Sequence, residues 1–185
     1  MALDPLNIGR YRVLRPLGQG AMGVVYLAED PLLKRNLAIK VVKAVGEVRD
    51  LALERFRREA EISAKLNHPN VVTIYDVGEE PGLGPFLAME YVEGSSLSRL
   101  IKEKSLGIET SFTVLIQAMR ALRAAHRCAI VHRDIKPENI LVGEEGRVKL
   151  MDFGIARTMS STLTGSGEFL GSPAYSAPEL LRGGE

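Results

Sequence analysis

Residues 132–139 read His-Arg-Asp-Ile-Lys-Pro-Glu-Asn, and residues 152–154 read Asp-Phe-Gly. These two short segments contain one candidate proton acceptor, Asp134, and one cation, Lys136. They also contain Asn139 and Asp152, whose oxygen atoms are ligands of the kind that Mg²⁺ prefers. Transfer of a phosphoryl group from a metal-bound nucleotide to a hydroxyl requires such a set of groups.

The composition of the 185-residue chain is ordinary for a globular protein, with 45% hydrophobic and 25% charged residues. Its net charge of +1 offers no basic field for nucleic acid or an anionic membrane. The single cysteine, Cys128, excludes an internal disulfide and fits a reducing compartment. No apolar run approaches the roughly 20 residues that a membrane-spanning helix needs. We therefore predict a cytoplasmic protein, or one at the cytosolic face of a membrane if an anchor lies downstream.

The first half of the chain has mainly the pattern of strands. Strands are predicted at 11–17, 24–28, 36–42, 71–77 and 86–92. In the third strand the side chains would alternate between the two faces of the sheet. Leu37, Ile39 and Val41 would point to one face, and Ala38, Lys40 and Val42 would point to the other. Residues 50–66 have the period of a helix instead. A Gly- and Pro-rich loop at 79–85 separates the last two strands.

The second half, after Gly94, is predicted to be mainly helical. One amphipathic helix, capped by Thr110 or Ser111, would end near Ala125. Its apolar face consists of Phe112, Leu115, Ile116, Met119 and Leu122. A hairpin is predicted from 140–142 and 148–150. A mostly β part therefore joins a mostly α part near residues 92–94, which is an α+β arrangement.

Three glycines, Gly18, Gly20 and Gly23, lie between two predicted strands. Glycines let backbone N–H groups approach and face phosphates, although an ordinary turn would also explain them. A dinucleotide-binding fold would require a helix directly after the glycines, and here a strand follows. The Gly-Lys-Ser/Thr ending of a P-loop is missing as well.

Lys40 and Glu59 are two charges in apolar surroundings. Lys40 lies within a predicted strand, and Glu59 lies on the apolar face of the predicted helix. The alternative is that both reach water at the edge of a core. Since an unpaired buried charge costs roughly several kcal/mol, we expect the two to pair. A lysine held in this way would bind nucleotide phosphates.

Five segments, in their order along the chain, resemble the motif set of protein kinases. They are Gly18–Val25, Ala38–Lys40, the His-Arg-Asp loop, Asp-Phe-Gly, and Ala-Pro-Glu at 177–179. The sequences at 20–26 and 152–157, together with Lys136, are most similar to the eukaryotic-like (Hanks-type) serine/threonine kinases of bacteria. The resemblance covers about residues 10–182. It implies a two-lobed fold, with an antiparallel N-lobe sheet and one regulatory helix at 11–92 and a mostly helical C-lobe at 93–185.

The resemblance also implies a role for each motif residue. ATP would be bound by Leu17, Gly18, Gly20, Gly23, Val25, Ala38, Lys40, Met89, Glu90, Val92 and Leu141. Asp134 would accept or orient the substrate hydroxyl, and Lys136 would neutralise charge on the phosphoryl group. Asn139 and Asp152 would hold Mg²⁺, with Mn²⁺ as the alternative. His132 would be structural, stacked near Phe153.

The implied substrates are protein serine and threonine hydroxyls, because Lys136 stands two places after Asp134. Arg133 implies control by phosphorylation, since an arginine there can bind a phosphorylated loop. In the activation loop, Thr162, Thr164 and Ser166 are candidate acceptors. Ser172 of the same loop stands where the family usually has threonine, and its hydroxyl would bond Asp134 and Lys136. Autophosphorylation would make a second copy of the chain a partner.

Two departures from the family pattern stand out. Ala129 replaces a usual glycine, which predicts strain if its φ is positive. The chain ends at Glu185, soon after Ala-Pro-Glu, so the resemblance implies a C-lobe that is incomplete and an apolar helix face with part of its cover missing. A non-catalytic nucleotide-binding or interaction module of kinase fold is the alternative function. A small-molecule kinase is a weaker one, because residues 171–179 resemble a peptide-docking segment.

Overall fold

The structure, a computed structural model, describes residues 6–20, 23–42, 49–153 and 175. The chain forms two compact units. The first comprises residues up to Lys65 together with Val72–Tyr91, and the second comprises Leu66–Val71 together with residues from Val92 onward.

The first unit is a six-stranded antiparallel sheet with one helix. Its strands are β1 (Asn7–Ile8), β2 (Tyr11–Gly20), β3 (Gly23–Asp30), β4 (Arg35–Val42), β5 (Ile74–Glu80) and β6 (Gly84–Glu90), and the helix is α1 (Arg49–Ala64). The strand order is β1-β2-β3-β4-β6-β5. The loop predicted at 79–85 is shorter than expected, because β5 and β6 continue to a tight turn closed by a bond from Leu83 N–H to Glu80 O (3.1 Å).

One face of this sheet carries the core of the first unit. Its buried members are Ile8, Tyr11, Ala28, Leu37, Ile39, Val41, Phe86 and Ala88. The predicted alternation within β4 is confirmed, since Leu37, Ile39 and Val41 all belong to this cluster. The side chains between them are buried too, so β4 is covered on both faces.

A polar cluster closes one end of that core. Tyr11 Oη donates to Asp76 Oδ2 (2.8 Å), and Arg10 lies 3.5 Å from Asp76 and 3.6 Å from Asp30. Burial and the bond to Asp76 raise the pKa of Tyr11 to about 12. Burial would raise the pKa of Asp30, but N–H bonds from Leu33 and Leu32 and the charge of Arg10 lower it overall.

The described residues of the second unit form a small sheet and two α-helices. Its strands are β7 (Gly94–Ser96), β8 (Ile140–Gly143) and β9 (Val148–Leu150), paired in that order, and its helices are α2 (Leu97–Lys102) and α3 (Ile108–Arg127). The predicted hairpin of β8 and β9 is confirmed. The sequence pattern missed β7 and α2, which are too short to show a period.

The predicted start of α3 is wrong, and the expectation that its apolar face lacks part of its cover is confirmed. The cap is Gly107, and Ser111 lies inside the helix, where its hydroxyl donates to Gly107 O (2.9 Å). The buried residues are Val114, Ala118, Ala121 and Ala125. Phe112, Leu115, Ile116 and Met119 are exposed, and only Leu122 of the predicted face packs against the core. Small side chains let β9 approach α3 closely, which explains why they form the packed face.

None of the helices in the described ranges has both the length and the apolar character that crossing a bilayer requires.

Candidate active site

The strand register of the first unit brings five predicted nucleotide-binding residues to one face of the sheet. Gly18 pairs with Val25, and Val25 pairs with Lys40 across β3 and β4. Ala38, two residues before Lys40, pairs with Met89 of β6. Directly opposed residues of an antiparallel sheet point to the same side, as do residues two apart. This face is opposite to the one that carries the core cluster.

The three glycines of the β2–β3 hairpin differ in their surroundings. A Cβ on Gly23 would lie 1.9 Å from Val41 O, and its φ is +147°. Glycine at this position is therefore required by the packing of β3 against β4. Among the residues that the structure describes, a Cβ on Gly18 or Gly20 would meet nothing within 4 Å, and neither glycine has a positive φ. Packing does not explain glycine at these two positions, and each leaves open space.

The surroundings of four predicted site residues of the first unit, Glu90, Lys40, Glu59 and Leu17, are as follows. The Glu90 N–H donates to Thr73 O (2.8 Å), so this N–H is not the group that would bind an adenine edge. Lys40 is buried, with 8% of its surface exposed. The side chain of Glu59, its predicted partner, lies outside the described residues. Leu17 is exposed beside Gly18.

In the second unit, Asp134 is held by two neighbours from its own loop. Its Oδ2 lies 2.8 Å from Lys136 Nζ and accepts a bond from Asn139 Nδ2 (2.9 Å). Asn139 Nδ2 also donates to Asp134 O (2.8 Å). Asn139 occupies a 3-10 turn, Pro137–Asn139, in which the proline fixes the first φ. The turn thus brings an amide and an ammonium to one carboxylate oxygen.

His132 connects this loop to the segment that carries Asp152. Its Nε2 lies 2.9 Å from Met151 O, which can only accept, so Nε2 carries the proton. Its Nδ1 accepts the N–H of Asp134 (3.3 Å), which requires the neutral ring. Burial lowers the pKa of His132, and the bond to Met151 O and the charges of Asp134 and Asp152 oppose this only in part. The ring also packs on Phe153, 4.5 Å between centroids, as expected.

Two residues of the site have left-handed backbone conformations that side chains disfavour. Arg133 has a φ of +65° and Asp152 has a φ of +62°. Such conformations cost about 1–3 kcal/mol each and persist where surrounding contacts fix them. Hydrogen bonds hold the residues on either side of Arg133, since the Asp134 N–H donates to His132 Nδ1. Before Asp152, the N–H of Met151 donates to Asn139 O (3.0 Å) and the carbonyl of Met151 accepts from His132.

The remaining predicted residues are placed as follows. Val92 and Leu141 belong to the second unit, and Leu141 lies in β8 opposite Ser96. Thr162, Thr164, Ser166 and Ser172 lie outside the described residues. The sequence did not indicate a bond from Ser98 Oγ to Glu138 Oε1 (2.9 Å), which links α2 to the 3-10 turn.

The donor set suits a divalent cation that binds together with phosphate. Asn139 uses its amide nitrogen on Asp134, so its Oδ1 is the atom directed elsewhere. In the described part of the chain, no three His, Cys, Asp or Glu side chains gather to form a metal site. Mg²⁺ typically takes one or two protein oxygens and completes its shell with water and substrate phosphates. Asn139 and Asp152 fit that mode.

Known proteins resemble this chain over nearly its whole length. The family model described as the protein kinase domain matches residues 11–185. The serine/threonine-protein kinase PrkC of Bacillus subtilis is 45% identical over 178 residues, which are 95% of this chain and 27% of PrkC. PknA of Mycobacterium tuberculosis is 40% identical, with 95% of this chain and 42% of PknA covered. A crystal structure of the PknI kinase domain from M. tuberculosis superposes with a TM-score of 0.75 at 32% identity, covering 100% of this chain and 70% of that one.

The chain belongs to the protein kinase family, among the Hanks-type serine/threonine kinases of bacteria. The predicted α+β kinase fold is thereby confirmed. The chain spans about a quarter of the length of PrkC.

Proposed function

We propose that this chain catalyses ATP-dependent phosphorylation of serine and threonine hydroxyls on proteins. The observation that carries the proposal is the Asp134 carboxylate, one oxygen of which is held by both Lys136 and Asn139. A positioned carboxylate beside a cation is what phosphoryl transfer to a hydroxyl requires of a protein. Family membership and the serine/threonine kinase names of the relatives support the same reaction.

Each residue of the second unit has a distinct task in this proposal. Asp134 Oδ2 is already engaged by two donors, so Oδ1 would accept the hydroxyl proton of the substrate. Asn139 fixes the carboxylate through its two bonds to Asp134. The ammonium of Lys136 supplies positive charge beside the acceptor, where charge of the phosphoryl group develops.

Binding of Mg²⁺ or Mn²⁺ is assigned to Asn139 Oδ1 and the Asp152 carboxylate. The bound cation would neutralise phosphate charge during transfer. His132 would hold the loop of Asp134 against the segment of Asp152, because its ring bonds both the Asp134 N–H and the carbonyl that precedes Asp152.

ATP binding is assigned to the sheet face that carries Gly18, Val25, Ala38, Lys40 and Met89. The open space over Gly18 and Gly20 supports contact with phosphates there. We assign the carbonyl of Glu90 and the backbone of Val92 to the adenine edge, with Leu17 and Leu141 against the base. Lys40, paired with Glu59, would bind the phosphates.

We further propose activation by phosphorylation of Thr162, Thr164 or Ser166, with Arg133 as the cation that binds the product and the Ser172 hydroxyl as a partner of Asp134 and Lys136. Transfer between two copies of the chain would accomplish this step. The exposed thiol of Cys128 suits a reducing compartment, and we propose a cytoplasmic site of action.

Transfer of ³²P from Mg-ATP to a generic protein substrate tests the function. We expect Asp134→Asn to lower the rate about 10²-fold or more, because the acceptor of the hydroxyl proton is removed. Nucleotide binding of the variant, measured by calorimetry, should match that of the wild type. Equal, background-level transfer by both proteins, with nucleotide binding retained, would instead identify a non-catalytic binding module.

A further inference from the structure

Within the described residues, the outer edge of β9 pairs with no strand, since the order of its sheet is β7-β8-β9, and it meets only an isolated parallel bridge between Val71 and Leu150. An edge strand presents N–H and C=O groups that need partners when they are buried. Val148 and Leu150 are fully buried, so their outward backbone groups cannot rely on water.

Two side-chain amides form hydrogen bonds with the outward N–H and C=O groups of Val148 on this edge. Gln117 Oε1, from α3, accepts the N–H of Val148 (3.0 Å), and Asn70 Nδ2 donates to Val148 O (2.9 Å). The two amides are bonded to each other, Asn70 Nδ2 to Gln117 Oε1 (2.8 Å). Together they present one donor and one acceptor to Val148, as a peptide of a neighbouring strand would.

Backbone and turn contacts complete this arrangement. The N–H of Leu150 donates to Asn70 O (2.9 Å), and Gln117 Nε2 donates to Gly146 O (2.8 Å) in the turn before β9. Asn70 is buried, with 9% of its surface exposed. The position of β9 is therefore fixed from its preceding turn to its last residue by Asn70 and Gln117.

β9 leads directly into the active-site segment. Met151, the next residue, donates its N–H to Asn139 O (3.0 Å) and accepts the bond of His132 at its carbonyl. Asp152 follows, with its disfavoured φ of +62°. A strand that slid by a fraction of an ångström at Val148 would move Met151 relative to Asn139, and with it the carboxylate of Asp152.

We propose that Asn70 and Gln117 are positioning residues for the metal-binding carboxylate of Asp152, acting through β9. The proposal rests on the proposed function for the role of Asp152. Groups that orient a metal ligand typically contribute about 10–100-fold to metal affinity or activity. Neither residue touches the reacting atoms.

The variants are Asn70→Ala and Gln117→Ala, with Ala121→Gly as the matched control. Ala121 is a buried residue of α3 whose replacement destabilises the helix by about 1 kcal/mol without removing a polar group. The acceptor of the Leu150 N–H, Asn70 O, is a backbone atom, so neither substitution removes it, and any faster exchange of this amide reports loosening of β9. If Asn70→Ala does not fold, Gln117→Met, which conserves volume, replaces it.

Hydrogen exchange at the Leu150 and Met151 amides tests the positioning independently of catalysis. We expect exchange there to be about tenfold faster in the amide variants than in Ala121→Gly at equal loss of thermal stability, because each amide variant loses hydrogen bonds that oppose local opening of β9. Equal exchange in the two kinds of variant would overturn the proposal, whether or not the chain is a kinase.

The Mg²⁺ dependence of phosphoryl transfer, or of nucleotide binding if transfer is lacking, tests the consequence. The amide variants should need about tenfold more Mg²⁺ for half-maximal effect, with the KM for the protein substrate unchanged. Ala121→Gly should retain the wild-type Mg²⁺ requirement. An unchanged Mg²⁺ requirement in the amide variants would refute the role in metal binding, whereas an inactive but Mg-nucleotide-binding wild type would refute only the proposed catalysis.

Discussion

At Ala129 the chain leaves α3 through a left-handed residue, with a φ of +57°. The N–H of Ala129 bonds His126 O and the N–H of Ile130 bonds Ala125 O, both at 3.0 Å. This is the Schellman arrangement, in which the left-handed position favours glycine. The positive φ of Ala129 confirms the strain expected there. Ala129 lies three residues before His132 in the chain.

We expect Ala129→Gly to raise the free energy of unfolding by about 1 kcal/mol, because glycine adopts this φ without a clash of its Cβ. Urea denaturation measures the change. Ala124→Gly, inside α3, should lower the same quantity by about 1 kcal/mol. A loss of stability in Ala129→Gly would contradict the strain argument.

The neutral ring of His132 makes stability depend on pH. Burial lowers its pKa in the folded state, so below the unfolded value of about 6.5 the unfolded chain binds the proton more readily. The stabilisation that comes from the neutral ring is therefore fully present above about pH 6.5. It is lost as the pH falls towards the lower pKa that His132 has in the folded state. Thermal unfolding from pH 8 to 5 should show this decline, and His132→Asn should flatten it while His126→Asn does not.

Among the secondary-structure elements, the β2–β3 hairpin contains glycines of two kinds. Gly23 approaches Val41 O so closely that any Cβ must displace β4, whereas among the described residues a Cβ at Gly18 or Gly20 would meet no atom within 4 Å. The fold therefore requires glycine at Gly23, and packing does not explain it at Gly18 and Gly20.

Gly23→Ala should destabilise the first unit by about 1–3 kcal/mol, through the clash with Val41 O and the positive φ. Gly18→Ala should change stability by less than about 1 kcal/mol and weaken Mg-ATP binding. Calorimetric unfolding and ATP titration distinguish the two effects. If Gly18→Ala bound ATP as tightly as the wild type, the assignment of phosphate contacts to this hairpin would be wrong.

At the scale of the whole molecule, α3 exposes a row of large apolar side chains. Phe112 is 63% exposed and Met119 is 59% exposed, with Leu115 and Ile116 between them. Contiguous apolar surface of this kind promotes association between molecules.

The double variant Phe112→Gln/Met119→Gln should self-associate less than the unchanged 185-residue chain. The two substitutions replace exposed apolar surface with polar side chains that favour a helix. Light scattering at fixed protein concentration measures the effect. The free energy of unfolding should change by no more than about 0.5 kcal/mol per site, as is usual for exposed positions. A loss of several kcal/mol would show that these side chains are buried in solution.

The family, the order of the motifs and the alternation within β4 were predictable from the amino-acid sequence, because they depend on residue types and spacings close together in the chain. The buried stripe of α3 was not predictable in this way, since two apolar stripes have helical spacing and the one with smaller side chains packs closely against β9. Tertiary structure also paired Asn70 with Gln117, 47 residues apart. Contacts at such separation depend on how whole elements pack, and no local pattern of residues encodes them.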